Sequence, residues 1–380
     1  MSLETLIYQS IKTPEYFLRY AIENDDIQLN ELITESMPSN GMILSFERFP
    51  SYFKATRAQY NTPEIMVIYH KDQPDVIVGM MNIGWKECFI NGEVNKIRYA
   101  ADLRIKRNAR GKKSLEVFME YVSTHLPRDF IFQSVVLEDN KIARHLMHQK
   151  REGFADAYLY DQITTYTISQ VKKPKGVDGL HLVTLSEATI PDANHFVDRM
   201  KEHYNFLPNY DFSQLKQNNH PFWAGMSLSD FYLILNENKQ VVGLFGLWDQ
   251  KSFKQTKVMK YSTTLKLLRP IYNVLAKIIG LIHLPQVNDS FDYLMCHSAL
   301  CEPNDPAAMH YLIYQAHFKT KEKNKSTYCI TIADNDPRKE NMGSFKAHKM
   351  KAIHGLHSFG ADPKDYFDRE KISYFEVGRI

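Results

Sequence analysis

The sequence is organised around one stretch, Lys96-Ile-Arg-Tyr-Ala-Ala-Asp-Leu-Arg-Ile-Lys-Arg-Asn-Ala-Arg-Gly-Lys-Lys-Ser-Leu115. Apolar and polar residues alternate over 97–105, which predicts a strand. Beyond Ser114, apolar residues recur at helical spacing, which predicts a helix. The basic turn between them, residues 106–113, suits a phosphate because unpaired N–H groups and the helix dipole favour an anion. The alternative is an ordinary basic surface turn.

Two motifs in this region resemble those of the GCN5-related N-acetyltransferases (GNAT). The segment Ile105-x-x-x-x-Arg110-Gly-Lys resembles the coenzyme-A loop of that family. Downstream, Glu138-Asp-Asn140-x-x-Ala143-x-x-Leu146, followed by Gly153-Phe154, resembles its second motif. The two motifs stand in the family's order and at roughly its separation.

The sequence departs from the family pattern at three positions. Lys113 and Leu115 stand where small residues are usual, and such residues let the backbone approach a pyrophosphate closely. Met147 stands where the family's usual acid, a tyrosine, is found. Its neighbours His145 and His148 can titrate, although a helical histidine is more often solvated or satisfied in a core.

The resemblance implies an acyl-coenzyme-A-dependent N-acyltransferase in which an amine attacks the thioester directly in a ternary complex. The cosubstrate would be acetyl-coenzyme A or another acyl-coenzyme A, without a metal, and the acceptor a small-molecule, peptide or protein amine. Backbone N–H groups of the organising strand would polarise the carbonyl. The residues expected to bind the cosubstrate are Leu103, Arg104, Ile105, Arg110, Gly111, Lys112, Lys113, Ser114 and Asn140. The candidate bases are Asp102 and Tyr99, and the candidate acids are Tyr158 and Tyr160.

The order of predicted elements repeats after residues 170–179, a charged, Pro- and Gly-containing stretch expected to be a linker. The recurring motifs are Val78-Gly79 with Trp85, Val242-Gly243 with Trp248, Glu138-Asp-Asn140, and Ala333-Asp-Asn335. An internal repeat changes the fold prediction for the whole chain. We therefore expect an α/β protein of two tandem GNAT-like domains, residues 1–169 and 180–380. Each would have a mixed, mostly antiparallel central sheet with splayed strands, flanked by helices.

The second domain is expected to differ from the first in two places. Its counterpart of the basic turn is Cys301-Glu-Pro-Asn-Asp-Pro306, which is acidic and lacks Arg and Gly, so we expect no usual coenzyme-A site there. An insertion at about 264–285 carries an apolar helical stripe with Lys266, Arg269 and Lys277 beside it. Such a helix can lie on a membrane surface. Packing on its own domain is commoner, and we expect no membrane partner.

Local signals predict several further elements. Residues 1–17, 27–35 and 50–60 are predicted to be helical. The pair Asn91-Gly92 predicts a hairpin turn that leads the chain into the organising strand.

Composition limits the possible functions. The net charge of +3 is small, and few aromatics interleave the basic run, so nucleic acid is not the expected partner. The four cysteines show no metal-ligand spacing and suit reduced thiols. No stretch approaches the ~20 apolar residues of a membrane span, and the N-terminus lacks a signal pattern, so we expect a cytoplasmic protein. Nothing indicates the oligomeric state.

Two other functions stay open at this point. The departures at Lys113, Leu115 and Met147 motivate a non-catalytic acyl-coenzyme-A sensor or interaction protein. The second alternative is an aminoacyl-tRNA-dependent transferase built on the same double fold, which a requirement for tRNA would reveal.

Overall fold

The structure, a computed structural model, describes residues 7–34, 37–39, 41–111, 113–127, 130–217, 219–279, 281–360 and 362–380. The strands of the first half are β1 Ile7–Gln9, β2 Tyr16–Tyr20, β3 Met37–Ser39, β4 Met42–Glu47, β5 Ile65–His70, β6 Gln73–Asn82, β7 Trp85–Ile90, β8 Glu93–Tyr99, β9 Ala101–Ile105, β10 Ile131–Leu137 and β11 Asp156–Gln170. Those of the second half are β12 His181–Thr184, β13 Tyr204–Asn205, β14 Phe231–Leu235, β15 Val241–Trp248, β16 Gln255–Tyr261, β17 Leu294–Cys301, β18 Tyr328–Ala333, β19 Lys346–Ser358 and β20 Ile372–Ser373. The helices are α1 Asp26–Ile33, α2 Tyr52–Gln59, α3 Ser114–His125, α4 Lys141–His148, α5 Ile190–Met200, α6 Thr263–Ile279 and α7 Pro306–Glu322.

Most of the local predictions in the first half agree with these bounds. The helices predicted over 27–35 and 50–60 are confirmed as α1 and α2. Asn91 and Gly92 form the β7–β8 turn with positive φ angles of 55° and 88°, as a two-residue hairpin requires. The helix predicted over 1–17 is wrong, because the chain forms β1 there and enters β2 at Tyr16. Residues 1–6 of that prediction lie outside the described residues.

Two sheets carry the fold and exchange strands between the halves of the chain. One has the order β1-β2-β5-β6-β9, and the other has the order β12-β14-β15-β17-β18-β11-β19-β10-β8-β7. The last long strand of each half enters the other half, since β11 lies between β18 and β19 and β19 lies between β11 and β10. The predicted α/β class with mixed, mostly antiparallel sheets is confirmed. This exchange joins strands of both halves in one continuous sheet. The division into two domains at residues 170–179 therefore stays a prediction.

Helix α3 packs against the smaller sheet through one apolar face. Val117, Phe118 and Val122 are buried in a cluster with residues of β2, β5 and β6. Full burial of such a side chain contributes ~1.5–3 kcal/mol. This packing fixes the start of α3 directly beyond the end of β9.

Strands β8 and β9 form one nearly continuous run whose two edges have different partners. On one edge, β8 pairs in parallel with β10 through Arg98–Phe132 and Tyr99–Gln133, and the N–H of Ala100 donates to the Gln133 carbonyl at 2.7 Å. On the other edge, the antiparallel partner changes from β7 to β6 without a break in register, since Trp85 pairs with Arg98 and Asn82 with Ala101. The parallel pairing with β10 ends at this point, so β9 and β10 diverge. We call the space between them the first wedge.

A β-bulge accompanies this change of partner. Ala101 pairs with Asn82 and Arg104 with Met80, so Asp102 and Leu103 together face a single residue of β6. Asp102 has a φ of 55°, a left-handed conformation that aspartate tolerates better than most residues. A bulge of this kind bends its strand and increases the local twist.

The same deformation recurs in the second half at the same spacing. β17 pairs in parallel with β18, and the last pair is Met295–Cys329. Three residues beyond Met295, Ser298 has a φ of 49°, as Asp102 lies three residues beyond Tyr99. We call the space between β17 and β18 the second wedge. The repeat noticed in the sequence thus extends to the backbone at this point.

Gly84 supports the closed end of the first wedge, because its carbonyl accepts the N–H of Tyr99 at 2.9 Å. A Cβ at this position would lie 2.6 Å from the Thr62 carbonyl oxygen and 2.9 Å from Pro63 Cα. These are backbone atoms that cannot rotate away. We expect Gly84→Ala to lower the free energy of unfolding by about 1–3 kcal/mol in chemical denaturation.

The matched control for this substitution is Gly179→Ala. There the nearest atoms to an added Cβ belong to the flexible Glu237 side chain. The free energy of unfolding should change by less than about 0.5 kcal/mol. Equal stability losses in the two variants would contradict the backbone clash at Gly84.

Candidate active site

The basic turn lies at the open end of the first wedge and leads into α3. Arg107–Ala109 forms a single 3₁₀ turn, and the Ser114 hydroxyl donates to the Ala109 carbonyl at 3.0 Å. The Arg110 Nε donates to the Ile105 carbonyl at 3.0 Å, so this side chain also braces the turn. Gly111 has a φ of 76°, and an added Cβ there would meet no atom within 4 Å. Lys112 lies outside the described residues.

Lys113 occupies the N-cap position of α3 in a left-handed conformation, with a φ of 60°, and its side chain makes no capping hydrogen bond. The first N–H groups of a helix need partners from outside the helix. The Lys113 side chain does not cap them, and the N–H of Glu116 donates to the Lys113 carbonyl at 2.9 Å. The N–H groups of Ser114 and Leu115, with the helix dipole, are the candidates to bind an anion. A left-handed φ is the conformation that favours glycine, and Lys113 adopts it. The lysine expected from the sequence to depart from a small residue therefore keeps a backbone that suits one.

The other expected cosubstrate residues line the two sides of the wedge. Leu103, Arg104 and Ile105 form the second half of β9, and Arg104 Nη1 donates to the Leu103 carbonyl at 2.9 Å. Asn140 lies just beyond β10, where its side-chain oxygen accepts the N–H of Ala143 at 3.1 Å and caps α4. Two of the sequence motifs therefore face each other across one opening.

Asp102 is held by two partners from outside its strand. Its carboxylate lies 3.1 Å from Arg48 Nη2 and accepts the Tyr52 hydroxyl at 2.9 Å. Burial raises the pKa of the Asp102 carboxyl. The charges of Arg48 and Arg104 and the Tyr52 hydroxyl outweigh burial, so that pKa lies below its usual value. A carboxylate held in this way is a weak base and an effective anchor for the bulge.

Tyr99 lies in a cleft on the sheet face opposite α3. Successive side chains of a strand point to opposite faces, so Phe132 packs with α3 while Gln133 lines the cleft with Tyr99, Lys86 and Arg379. The Lys86 Nζ lies 3.7 Å from the centre of the Tyr99 ring and donates to the Arg379 carbonyl at 2.7 Å. Burial, with the nearby charge of Arg379, lowers the pKa of Lys86 to about 7. Burial raises the pKa of the Tyr99 phenol.

Sequence reasoning missed Lys86 and Arg379. Lys86 directly follows Trp85 of the repeated motif, but neither residue belongs to a catalytic spacing pattern. The available signal was a lysine beside Trp85 in a strand that ends in Cys88, Phe89 and Ile90. Arg379 reaches the cleft from the second half of the chain.

Tyr158 and Tyr160, the expected acids, lie on β11, which is separated from β10 by β19. The Tyr158 hydroxyl donates to the Gly360 carbonyl at 3.4 Å. Tyr160 is buried, and its ring packs against Phe206 and Phe367. The structure therefore does not bring these two tyrosines to the wedge together with Tyr99 and Asp102.

A histidine of the second half stands beside β10 instead. The His357 ring stacks on Phe132 at 4.5 Å, and its Nε2 lies 2.7 Å from the Ser134 hydroxyl. Burial lowers the pKa of His357 to about 4, so the ring is neutral near pH 7. Met147 packs nearby, since a Cβ on Gly355 would lie 2.5 Å from its terminal methyl group. Sequence reasoning did not connect β19 with this site.

The second wedge is filled by groups of the protein itself. The Glu376 carboxylate accepts the N–H of Ser298 at 2.7 Å. Arg338, which is buried, donates to the Ala299 carbonyl at 2.8 Å. The Asp305 side chain caps α7, the helix that corresponds to α3. Backbone groups of the second wedge thus bond to the protein's own side chains. The corresponding backbone groups of the first wedge are the candidates for ligand binding.

The order of strands and the diverging β9 and β10 are those of a GNAT fold. The sequence matches no protein-family model and no curated protein. Solved structures do match. Saccharomyces cerevisiae N-myristoyltransferase with bound myristoyl-CoA is 11% identical with a TM-score of 0.57, covering 96% of this chain and 86% of that one. A GCN5-related N-acetyltransferase from Sphaerobacter thermophilus is 9% identical with a TM-score of 0.52, covering 93% and 98%.

At these identities the likeness concerns the fold, and the fold predicted from the sequence is confirmed. A third match is the glucosamine N-acetyltransferase region of a fungal multi-domain β-N-acetylglucosaminidase, at 9% identity and a TM-score of 0.54, covering 90% of this chain and 38% of that one. The matches with the yeast and Sphaerobacter proteins run over nearly the whole chain, so they include both halves.

The anchor at Asp102 predicts a stability effect. Asp102→Asn keeps the shape and tolerates the positive φ, but it leaves Arg48 buried without its counterion. Breaking a buried ion pair in this way costs about 3–5 kcal/mol, measured as the free energy of unfolding in urea. The control is Glu23→Gln, which breaks the exposed pair with Arg57 and should cost less than about 1 kcal/mol. A silent Asp102→Asn variant would show that another contact holds the bulge.

Proposed function

We propose that this protein is an acyl-coenzyme-A-dependent N-acyltransferase with one cosubstrate site per chain, in the first wedge. The observation that carries the proposal is the contrast between the wedges. The first ends at a basic turn and at a helix whose N-cap side chain makes no capping hydrogen bond, whereas the second is occupied by Glu376 and Arg338. The fold shared with N-acetyltransferases and with an N-myristoyltransferase supports it. A cytoplasmic location stays a prediction.

The residues present fit a coenzyme-A pyrophosphate. Arg110 and Lys113 supply positive charge, the first N–H groups of α3 supply donors, and Gly111 leaves open space beside them. When bound, the cosubstrate supplies an activated thioester carbonyl. The bulge keeps its extra residue out of the ladder, so the N–H groups at Asp102 and Leu103 are the candidates to polarise that carbonyl.

Lys86 is the base that we favour. With a pKa of about 7, about half of its amine is neutral near pH 7 and able to accept the proton that the acceptor amine loses. Tyr99 lies against it and has a raised pKa, while Asp102 is engaged by Arg48 and Tyr52. The acceptor in this arrangement is a primary amine of a small molecule or peptide that enters through the cleft.

We favour the Ser134 hydroxyl as the hydrogen-bond donor that stabilises the leaving thiolate, which takes its proton from solvent. It lies on β10 itself, at the wedge, and is hydrogen-bonded to neutral His357. Tyr158 and Tyr160 lie two strands away from β10, roughly 10 Å at ~4.8 Å per strand. The sequence-derived acids are therefore the second choice.

A second candidate function is a non-catalytic acyl-coenzyme-A-binding protein. Met147, at the position where the resemblance places an acid, packs against β19 and carries no proton. Release of free thiol from acyl-coenzyme A in the presence of an amine panel distinguishes the two. Binding without amine-dependent thiol release would favour this second candidate.

Arg110→Ala tests the cosubstrate site. Loss of a charge-assisted hydrogen bond of ~1.5–3 kcal/mol should weaken coenzyme-A binding about 10–150-fold in titration calorimetry. The stoichiometry of the unmodified protein should be one per chain.

Two controls accompany this variant. Arg199→Ala removes a partly exposed arginine of α5 that pairs with Glu302, and coenzyme-A affinity should not change. Lys113→Gly should bind nearly as well as the unmodified protein, because the left-handed conformation at this position suits glycine. Unchanged affinity in folded Arg110→Ala would remove the support for this site.

The pKa of Lys86 predicts a pH profile. The second-order rate constant kcat/KM should rise as pH increases through about 7, because deprotonation creates the base. Lys86→Arg keeps the positive charge but cannot be deprotonated in this range. It should lower kcat/KM about 10²–10⁴-fold and remove this limb of the profile. A limb that persists in Lys86→Arg would belong to the acceptor amine and would exclude Lys86 as the base.

A further inference from the structure

Helix α6 has a face of aliphatic side chains that is exposed to solvent. Its aliphatic side chains face away from the protein, with Leu267 73%, Ile271 63% and Ile278 75% exposed. The remaining members of this face are Leu268, Val274, Leu275 and Ile279, each at least 45% exposed. The sequence favoured a helix that packs this stripe on its own domain. That expectation is wrong.

The inner side of α6 is the more polar one. Arg269 donates to the Pro285 carbonyl at 3.0 Å, and Asn273 exchanges two hydrogen bonds of 2.9 Å with the backbone of Leu284. Leu265 and Tyr272 pack on the small cluster around Val258. These contacts fix which way the helix faces. The outward apolar face is therefore a property of the folded protein.

Contiguous exposed apolar surface of this kind marks an interaction site. The seven aliphatic side chains contain no hydrogen-bonding group with which a polar protein surface could pair. Residues 263–288 contain Lys266, Arg269 and Lys277 but no Asp or Glu. Lys266 and Lys277 are exposed, and their helical spacing places both along one edge of the apolar face.

A cationic groove adjoins the C-terminal end of this face. It has a volume of about 410 Å³ and is lined by Ile278, Ile279, Lys172, Lys321 and Lys346, with no carboxylate among its described lining residues. An apolar face bordered by lysines matches the layered chemistry of an anionic membrane, in which acyl chains lie beneath phosphate headgroups. Within the described residues, no helix is long and apolar enough to cross a membrane.

We propose that α6 docks this protein onto the surface of an anionic lipid membrane. The helix lies in the interface plane, its aliphatic side chains enter the acyl-chain boundary, and the lysine groove receives a headgroup phosphate. A second copy of the chain fits less well, because stacking two α6 faces would bring their flanking lysines together without a carboxylate to compensate. This inference is independent of the proposed acyl transfer.

Vesicle flotation with the full-length protein tests the proposal. The protein should float with vesicles of phosphatidylcholine mixed with phosphatidylglycerol and should bind phosphatidylcholine alone more weakly. Ile271→Ser/Ile278→Ser should weaken binding to the mixed vesicles by about 100-fold or more, since each substitution removes a buried aliphatic group. Lys172→Gln/Lys346→Gln should weaken it about 10–30-fold, and only on the anionic vesicles.

Ile27→Ser provides the matched control, because Ile27 of α1 is 73% exposed and lies outside the α6 face. It should bind vesicles as the unmodified protein does. The four positions substituted in the two test variants face solvent. Neither variant should therefore change the melting temperature. Sedimentation equilibrium tests the opposing interpretation, in which α6 mediates self-association. A dimer that Ile271→Ser/Ile278→Ser abolishes, with no flotation on either vesicle, would overturn the proposal in favour of self-association.

Discussion

The parallel pairing of β8 with β10 ends at Tyr99, and the arrangement around the first wedge depends on that end. Beyond it the run keeps its antiparallel partner on the other edge, first β7 and then β6, and β9 becomes the edge strand of the smaller sheet. The bulge at Asp102, three residues beyond Tyr99, bends the strand where it leaves β10. Its unfavourable backbone angle is held by a buried carboxylate that is paired with Arg48 and hydrogen-bonded to Tyr52. The position of the basic turn and of α3 depends on this opening.

The two halves share one backbone arrangement around their wedges but differ in the side chains that surround it. Both wedges have the same spacing from the last parallel pair to the residue with a positive φ, yet different side chains surround them. Arg110 and the N-cap residue Lys113 lie in one half, and Asp305 and Glu376 in the other. A carboxylate at a helix N-terminus accepts hydrogen bonds from the first N–H groups and interacts with the positive end of the dipole. A phosphate would therefore gain little binding free energy there.

Strand exchange makes the first site a joint product of both halves. β19 brings His357 to Ser134, and the C-terminal segment brings Arg379 to Lys86. Neither half alone would contain the complete cleft. The same tertiary arrangement seats α6 on a polar inner face, which leaves its aliphatic face to the exterior. The Lys86 cleft and the exposed face of α6 are thus separate surfaces whose orientation is fixed by the same folded chain.

The sequence by itself determined the local elements with strong signals: the strand and helix around the basic turn, the Asn91-Gly92 hairpin, and the repeated order of elements. Each depends on contacts between near neighbours. Tertiary structure alone decided that Asp102 is an anchored carboxylate, that Lys86 has a depressed pKa, and that Tyr160 belongs to a core. It also decided that the α6 stripe faces outward, because an amphipathic pattern gives the faces of a helix but not what covers them. Burial and long-range pairing set these properties, and both depend on residues far apart in the chain.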